Sequence, residues 1–414
     1  MQASAKQLQF WREATHRWNV KTGATRSGKT YMDYFLIPRR LLAVKGKDGL
    51  SVILGNTRET IRRNIIIPMQ TIYGAKRVGN IRADNSCMMF GEQVFCLGAD
   101  NVNHVDRLRG TSIKYCYGDE VTTWHSEVFD MLKSRLDKPY SIFDGTCNPE
   151  NPRHWFKTFL DSDADIYQQA YTLDDNPFLD ASFVENLKKE YAGTVYYDRF
   201  ILGLWAAAEG VIYKAFADDP KRFIIPDSLV DQGAREHIEI RNAVIGVDFG
   251  GGASAHAFSC VGFTAGYQQM ILLHEYREQD ALTPERLNEA FVQFVRECKM
   301  QWNVTDCYCD SAEQTLINGL RTAAARERLG INIGNALKKP INDRIRCLCL
   351  LMGAGRYKIA EHCKHTIDAL RSAVWDAKKL TEDVRLDDGR MNIDSLDAQE
   401  YAFEREMRTL ISRW

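Results

Sequence analysis

The stretch Gly23-Ala24-Thr25-Arg26-Ser27-Gly28-Lys29-Thr30 decides how the first half of this chain folds. It has the spacing G-x-x-x-x-G-K-[ST] of a phosphate-binding loop, in which the glycines let backbone N–H groups turn inward towards a polyphosphate. Lys29 would place a positive charge against the outer phosphates, and the Thr30 hydroxyl could bind Mg²⁺. The pattern therefore predicts a nucleotide site whose contact residues are Gly23 to Thr30.

The segments around this loop predict an α/β domain. A strand-like segment from Trp18 to Lys21 precedes the loop and a helix-like segment from Tyr31 to Val44 follows it, so the phosphates are expected at a helix N-terminus. Residues 51–55 should form a strand, 59–72 a helix that ends near Pro68, and 85–99 a hairpin. Alternating strands and helices predict a parallel sheet with helices on both faces. The nucleotide should then lie at the carboxyl ends of the strands.

Two further segments of the first half carry candidate chemistry. The mostly apolar segment 113–120 ends in Asp119 and Glu120. On a strand beside the loop, Asp119 would bind the Mg²⁺ shell and Glu120 would polarise the water that attacks the γ-phosphate. Thr146 and Asn148 end the segment 140–149, where they either sense the γ-phosphate or simply leave a strand for a turn.

Arginines and a glutamine are additional candidates for the nucleotide site. Arg26, inside the loop, could supply positive charge to the transition state, as an arginine finger does. Arg107 and Arg109 are alternative fingers that could reach a neighbouring subunit, and each arginine could also have a milder role. Gln7, upstream of the loop, either reads an adenine edge or belongs to an ordinary amphipathic helix.

Length and composition limit the domain count and the class of protein. The chain has 414 residues, which favours two domains. We expect a first domain over 1–216, with a linker or lid subdomain from about residue 161, a junction over 217–240 and a second domain over 241–414. The net charge of −1 means that any nucleic-acid contact must use a local basic surface. The 11 cysteines show no disulfide framework, and no signal core or ~20-residue apolar span is evident, which favours a cytosolic enzyme.

The second half offers three separated acids. Asp248 ends a buried strand that opens a β-meander, Asp310 ends the strand-like segment 305–310, and Asp397 lies in a C-terminal helix. A meander with such an acid suits a ribonuclease-H-like nuclease. Carboxylates suit Mg²⁺ or Mn²⁺, and two such ions ~4 Å apart can activate water at a phosphodiester. A strand-end aspartate can also be a plain turn cap.

Other polar groups of the second half have simpler explanations. The pairs Cys307 with Cys309 and Cys347 with Cys349 are too closely spaced for structural zinc, which prefers two to four intervening residues. The basic residues at 338–339, 344 and 346 could line a DNA groove, but a solvated basic face is the simpler interpretation.

With these residues identified, nearly the whole chain resembles the large terminase subunits of tailed bacteriophages, of the compact prophage type. The resemblance is carried by the Gly23–Thr30 loop with its Arg26, by the Asp119–Glu120 pair, by Thr146 to Asn148, and by the stretch Gly203-Leu-Trp205 with Gly210-Val-Ile-Tyr213. The three acids of the second half complete it.

The resemblance implies a P-loop ATPase that translocates DNA, followed by a ribonuclease-H-like nuclease. By this resemblance Lys29 and Thr30 would bind ATP and Mg²⁺, Glu120 would be the catalytic carboxylate, and Thr146 and Asn148 the coupling motif. The metal ligands of the nuclease would be Asp248, Asp310 and Asp397, with Mn²⁺ able to replace Mg²⁺. Some family members have a histidine three residues before the last acid, and here Asp394 stands in its place.

The implied setting is the packaging of viral double-stranded DNA in the host cytoplasm. The implied partners are the small terminase subunit and the portal of a procapsid, on which a subunit that is monomeric in solution would join a ring, usually pentameric. Three rivals remain: a helicase or translocase whose second domain only binds DNA, an actin-like ATPase or sugar kinase suggested by the segment 245–250, and a degenerate adaptor without enzymatic activity.

Overall fold

The computed structural model describes residues 3–102, 110–250, 254–279, 282–379, 381–387 and 392–412. It divides the chain into two compact units. Unit 1 consists of Met1–Val184, Val195–Ala207 and Leu380–Glu382, and unit 2 consists of Glu185–Thr194, Ala208–Lys379 and Asp383–Trp414. No helix of the described ranges is both long enough and apolar enough to cross a membrane.

Helices and strands alternate along the first part of the chain. In chain order they are α1 (Ala5–Glu13), β1 (Trp18–Gly23), α2 (Asp33–Val44), β2 (Leu50–Gly55), α3 (Arg58–Ile61), a π-helical turn (Arg62–Ile66), α4 (Ile67–Tyr73), β3 (Ser86–Met89), β4 (Glu92–Gly98), β5 (Ile113–Gly118), α5 (Ser126–Arg135), β6 (Ile142–Cys147), α6 (Trp155–Leu160), β7 (Ile166–Tyr171), α7 (Ala181–Tyr191) and α8 (Val195–Phe200).

The sheet of unit 1 has seven strands in the order β3-β4-β2-β5-β6-β1-β7. Every pairing is parallel except that of β3 with β4, which forms the expected hairpin at one edge. Thr22 of β1 is paired with Cys147 of β6, and Gly118 of β5 with Gly145 of β6. The carboxyl ends of these three strands therefore lie side by side, directly below the loop that follows β1.

Helices cover both faces of this sheet, as the alternation of strands and helices predicts. Val52 and Cys116 pack against residues of α5 and α6 in one apolar core. Ile53 and Tyr117, their neighbours along the same strands, pack against α2, α3, the π-helical turn and α4 in a second core. Since successive side chains of a strand point to opposite faces, this alternation builds a three-layer unit.

Two expected helix boundaries are wrong. The helix after the phosphate-binding loop begins at Asp33 rather than Tyr31, because the loop residues continue in turns up to Met32. The helix expected to end near Pro68 instead continues to Tyr73, with Pro68 in the first turn of α4. Proline lacks an N–H group, so the carbonyl four residues earlier loses its intrahelical partner, and the π-helical turn Arg62–Ile66 lies at this point of the continuous helix.

Unit 2 combines an antiparallel meander with parallel flanking strands. Its elements from Ala208 onward are α9 (Lys214–Asp218), β8 (Ile224–Ile225), β9 (Asn242–Asp248), β10 (His256–Phe263), β11 (Met270–Glu278), α10 (Pro284–Gln301), β12 (Val304–Cys309), α11 (Gln314–Arg326), β13 (Asn332–Asn335), α12 (Ile341–Gly353), β14 (Tyr357–Ala360), α13 (Lys364–Ser372), α14 (Asp394–Phe403) and α15 (Met407–Ser412).

Seven strands form its sheet, in the order β13-β12-β9-β10-β11-β14-β8. Strands β9, β10 and β11 form the predicted meander, and β12 and β14 pair in parallel on its two sides. Helix α14 lies directly on β9: a Cβ atom added at Gly246 would lie 1.9 Å from the carbonyl oxygen of Ala398. Glycine is therefore required at this position for the helix to approach the strand so closely.

The boundary between the units differs from the sequence expectation. Residues 208–216 belong to unit 2, not to the first domain, because Val211 forms a β-bridge with Val374 and the Tyr213 hydroxyl donates to Glu400 at 3.3 Å. The expected junction 217–240 also contains β8, which is the edge strand of the second sheet. The sequence does not reveal this pairing, because β8 is only two residues long.

Candidate functional site: the loop cavity of unit 1 and the acidic cluster of unit 2

The loop from Gly23 to Thr30 leaves the carboxyl end of β1 in a conformation that needs its glycines. Gly23 has a φ of 139°, and a Cβ atom there would lie 2.0 Å from the carbonyl oxygen of Tyr171. Gly28 has a φ of 81°, and Arg26 also adopts the left-handed region with a φ of 60°. The loop therefore turns tightly at the strand ends, as a phosphate-binding loop must.

Lys29 is the buried cation of this loop. Its ammonium donates to the carbonyl oxygens of Gly23 at 3.2 Å and Ala24 at 3.0 Å, and to Oδ1 of Asn148 at 2.6 Å. Burial lowers the pKa of Lys29 to about 8, against the opposing effects of Cys147, Glu120 and Asp119. The side chain is thus held between the carboxyl ends of β1 and β6, where an anion would gain most from its charge.

The loop also carries polar atoms that suit a polyphosphate. Within the described part of the chain, the buried hydroxyls of Thr25 and Ser27 have no hydrogen-bond partner. Buried polar groups are normally paired, and unpaired ones in a native fold commonly mark a ligand or an ion. Phosphate oxygens are strong acceptors for such hydroxyls, so the loop fits the group that its sequence predicts.

The two acids after β5 lie at the same strand ends. Asp119 is buried, and its carboxylate accepts from Nδ2 of Asn64 at 3.0 Å and from the Thr146 hydroxyl at 3.3 Å. Burial raises the pKa of Asp119, and these hydrogen bonds oppose that effect. Glu120 adopts a left-handed backbone with a φ of 52°. Carboxylate oxygens held in this way are the ligands that Mg²⁺ prefers.

A cavity of about 310 Å³ opens above these strand ends, and we call it the loop cavity. It is lined by Lys29, Thr30, Tyr34, Arg63, Asn64, Pro68, Asp119, Glu120, Thr146 and Asn148. Six of these were predicted from the sequence, and the structure brings them together. Tyr34 and the group at 63, 64 and 68 were missed. The sequence offered one indication of the group at 63, 64 and 68. This is the polar run Arg62-Arg63-Asn64 on the helix after β2, which three isoleucines separate from Pro68.

Two other predicted residues, Arg26 and Gln7, do not line the loop cavity. The Arg26 guanidinium lies over the ring of Phe183, 5.4 Å from its centre, and the Arg26 side chain is exposed. Gln7 is buried, and its amide both accepts from the backbone N–H of Ser4 and donates to the carbonyl oxygen of Gly28, each at 2.8 Å. Gln7 therefore supports the loop itself. Arg107 and Arg109 lie outside the described residues.

The three predicted acids of unit 2 gather at one end of its sheet. Asp248 ends β9, and the backbone N–H of Asp310 donates to the carbonyl oxygen of Val247 at 2.9 Å. Asp397 lies in the first turn of α14, the helix that packs on β9. Burial and the negative charges of Asp397, Asp310 and Asp394 raise the pKa of Asp248 to about 9. We call these four acids the acidic cluster.

Basic side chains neutralise most of the acidic cluster. Lys338 pairs with Asp310 at 2.5 Å, Arg385 with Asp397 at 2.6 Å, and Arg277 with Asp394 at 3.5 Å. No set of three or more His, Cys, Asp or Glu side chains in the described ranges is arranged to hold a metal ion. The donor chemistry of the cluster suits a hard divalent cation, but such an ion would compete with these basic groups.

Of the basic residues expected to form a solvated face, Lys338 is exposed, whereas the other three have partners within unit 2. Arg344 is buried and pairs with Glu400 at 2.9 Å, and Lys339 donates to the carbonyl oxygen of Glu404 at 2.7 Å. Arg346 donates to the hydroxyl of Tyr191 at 3.1 Å. These cations therefore hold the interior of unit 2 together.

The cysteines are reduced and internal. All 11 are free and buried. The sulfur atoms of Cys307 and Cys309 lie 3.8 Å apart on one face of β12. Their spacing thus reflects strand geometry.

The sequence of the chain matches a family model over its first half. Residues 22–217 match the N-terminal region of the terminase large subunit, T4-like virus type. No curated protein sequence matches the chain.

The fold matches that of a known large terminase over nearly the whole chain. The large terminase of a thermophilic bacteriophage is 24% identical, with a TM-score of 0.83 over 98% of this chain and 99% of that one. The complex of that terminase with ADP gives a TM-score of 0.81 over 99% of this chain and 100% of that one, at 24% identity. Its complex with ATP-γ-S gives 0.78 over 96% and 98%, again at 24% identity. Residues 22–217 therefore match the N-terminal region of the terminase large subunit, and the fold of the chain is that of a large terminase.

Proposed function

We propose that this chain is the motor and nuclease of a viral DNA-packaging machine. It would use ATP to translocate double-stranded DNA into a procapsid and would cut concatemeric DNA with a two-metal nuclease. The observation that carries this proposal is the loop cavity, where Lys29, Thr30, Asp119, Glu120 and Asn148 converge. The family match supports it, as do the ADP and ATP-γ-S complexes of the thermophilic phage terminase.

Each residue of the loop cavity has a role in this proposal. Lys29 and the backbone of the loop hold the β- and γ-phosphates, and the orphan hydroxyls of Thr25 and Ser27 donate to phosphate oxygens. Thr30 and Asp119 hold the Mg²⁺ ion, which would neutralise charge on the phosphates. Glu120 orients the attacking water and accepts its proton.

The tip of β6 would connect nucleotide hydrolysis to movement. Thr146 bonds to Asp119 and Asn148 bonds to Lys29, so both side chains contact the groups that hold the nucleotide. When Lys29 transfers its contact from Asn148 to a phosphate, Asn148 becomes free to take a different position. The tip can thereby respond to the presence of the γ-phosphate.

The acidic cluster would be the cutting site. Asp248, Asp310 and Asp397 would hold two Mg²⁺ or Mn²⁺ ions, which would activate water and stabilise the leaving oxygen of a phosphodiester. Ion binding would also compensate the mutual repulsion that raises the pKa of Asp248. The placement of these three acids at adjoining strand ends and on α14 supports this proposal.

The proposed setting is the cytoplasm of an infected host. There the chain would act with double-stranded DNA, a small terminase subunit and a portal ring, as a monomer that joins a ring on the portal, of five copies by family resemblance. We further propose that unit 1 is the ATPase domain and unit 2 the nuclease domain, with the linker or lid subdomain in the part of unit 1 that begins at about residue 161.

The test is a pair of reciprocal variants. Lys29→Ala should reduce ATP hydrolysis by about 100-fold or more, since it removes the cation that faces the phosphates, and should leave Mn²⁺-dependent nicking of plasmid intact. Asp248→Ala should do the reverse. Lys76→Ala and Asp368→Ala, which remove exposed charges of the same sign, serve as matched controls. Unchanged hydrolysis in Lys29→Ala would show that the nucleotide assignment is wrong.

One observation favours a second candidate, a DNA translocase whose unit 2 binds DNA without cutting it. The ion pairs of Asp310 with Lys338 and of Asp397 with Arg385 occupy the acids that a metal would need. This candidate predicts ATP-driven translocation with no plasmid nicking at any Mn²⁺ concentration. Nicking that is lost in Asp248→Ala would exclude it.

A further inference from the structure

A π-helical turn places two polar residues against the loop cavity. Helix α3 continues through Arg62–Ile66 into α4, so the chain stays helical from Arg58 to Tyr73 with one widened turn in the middle. The turn lies just before Pro68, which has no N–H to offer the carbonyl of Asn64 four residues earlier. That carbonyl instead accepts from the hydroxyl of Tyr34 at 3.0 Å. Single π-helical turns inside α-helices occur frequently at functional sites.

The turn connects the helix to the acid expected to hold Mg²⁺. The Asn64 amide donates to Oδ2 of Asp119 at 3.0 Å, and Nε of Arg63 donates to Oδ1 of Asn64 at 3.2 Å. The other oxygen of Asp119 accepts from Thr146. A continuous chain of hydrogen bonds thus runs from Arg63 through Asn64 to Asp119, and both oxygens of that carboxylate are oriented.

A phosphate site needs a positive charge that faces the cavity, and Arg63 is better placed to supply it than Arg26, the arginine expected from the sequence. Among the described residues that line the loop cavity, Arg63 is the only arginine. Its side chain is exposed and forms no ion pair in the described ranges, so its charge is available to a ligand. Arg26, by contrast, lies over Phe183.

We propose that Arg63 is a catalytic arginine that contacts the terminal phosphate of ATP within the same subunit, and that Asn64 positions Asp119. This inference rests on the proposed ATPase function. In hydrolysis, the water oxygen forms a bond to the γ-phosphorus and the bond to the bridging oxygen breaks. The bridging oxygen leaves with the electron pair as part of ADP, and Glu120 accepts the water proton. Arg63 would stabilise the negative charge on the oxygens of the phosphoryl group in transfer.

The test compares adjacent arginines. Arg63→Ala should lower kcat for ATP hydrolysis by about 100-fold, with less than about a threefold change in the affinity for a fluorescent ADP analogue. Arg63→Lys should recover part of this loss, because it keeps the charge but not the fork of donors. The control is Arg62→Ala, because Arg62 pairs with Glu59 at 3.0 Å and does not line the loop cavity. Thermal melting of each variant separates lost chemistry from lost folding.

The Asn64 part of the inference has its own readout. Asn64→Ala should raise the Mg²⁺ concentration needed for half-maximal hydrolysis by about tenfold, the cost of one hydrogen bond to a charged group. A purely structural role would lower the melting temperature without changing the Mg²⁺ requirement, and that result would overturn the positioning role.

The outcomes for the two proposals are distinguishable. If Lys29→Ala is inactive while Arg63→Ala keeps kcat within about threefold of the parent chain, the catalytic role of Arg63 is overturned and the ATPase function stands. If Lys29→Ala is itself active, the proposed function fails first.

Discussion

Single ion pairs control access to the acidic cluster. The ammonium of Lys338 lies 2.5 Å from Asp310, one of the four acids of the cluster. Lys338 is a partly exposed side chain on a loop residue with a φ of 50°, whereas Asp310 is mostly buried. The pair can therefore open by movement of the lysine alone, and if Asp310 is a metal ligand as proposed, Lys338 competes with the metal for it.

Removal of this competitor should strengthen metal binding. Lys338→Ala should lower the dissociation constant for Mn²⁺ by about two- to fivefold, the equivalent of one partly exposed ion pair. Isothermal titration of Mn²⁺ into the intact chain measures this change directly. Lys221→Ala, which removes an exposed lysine elsewhere in unit 2, is the control. Weaker Mn²⁺ binding in Lys338→Ala would mean that the lysine does not occupy the metal position.

The sequence predicts those residues of the loop cavity that belong to a local motif. A loop with fixed glycine and lysine spacing and two acids after an apolar strand each have a local signature, and Lys29, Asp119 and Glu120 were found in this way. Arg63 and Asn64 have no such signature. Their side chains reach the loop cavity because Pro68 alters the hydrogen bonding of a helix, and this effect depends on a partner from a different helix, Tyr34.

At the scale of whole elements, the periodic pattern predicted most strands in order, but it failed where tertiary contacts decide the boundary. Helix α2 starts late because the loop before it stays in turns, and β8 exists because β14 offers an edge to pair with. The helix over 58–73 continues past Pro68, and the carbonyl of Asn64, which has no N–H partner there, accepts from the Tyr34 hydroxyl instead. Neither the late start of α2 nor a strand as short as β8 produces a periodic pattern of apolar residues in the sequence.

The start of helix α6 should make unit 1 sensitive to acid. His154 is the N-cap residue, and its Nδ1 accepts from the backbone N–H of Phe156 at 3.2 Å, a bond that only the neutral ring can make. Burial lowers the pKa of His154 to about 4, from an ordinary value of 6.5. Between these two values the unfolded chain binds the proton and the folded chain does not. The free energy of unfolding should therefore fall as the pH is lowered from 6.5 to 4.

Replacement of the cap by a group that does not titrate should remove this dependence. His154→Asn keeps an acceptor at the cap, so we expect about 1 kcal/mol less loss of stability across that pH range than in the parent chain. Urea unfolding at several pH values, followed by the fluorescence of unit 1 tryptophans, gives the comparison. Parallel pH profiles for the two proteins would exclude His154 as the source.

At the scale of the whole molecule, the charge balance limits how the chain would hold DNA in the proposed function. The net charge is −1, so the chain is not attracted to DNA as a polycation. Binding must come from local basic surfaces that contact phosphates, and such contacts release counterions from the duplex. Contacts with phosphates carry no base information.

DNA binding should therefore depend on salt and not on sequence. The logarithm of the binding constant should fall linearly with the logarithm of salt concentration, with a slope of about −0.9 for each phosphate contacted. Two duplexes of unrelated sequence should bind within about threefold of each other. Fluorescence anisotropy over a salt series provides both measurements. A flat salt dependence, or a strong preference for one duplex, would contradict a phosphate-based grip.

Two domains were expected from the length of the chain, and two units are present. Their boundary was misplaced because the segment 208–216 belongs to unit 2 through partners, Val374 and Glu400, that lie far along the chain. Long-range partners of this kind leave no trace in the residues of the segment itself.

The glycine at position 246 also restricts how this chain can evolve. Any side chain there would collide with the backbone of α14, and would push Asp397 away from Asp248. The spacing of those two acids is consequently set by the contact between the main chains of β9 and α14. No single amino-acid exchange can change that contact in small steps. Descendants of this sequence can change the acidic cluster through the basic side chains around it far more readily than through the scaffold beneath it.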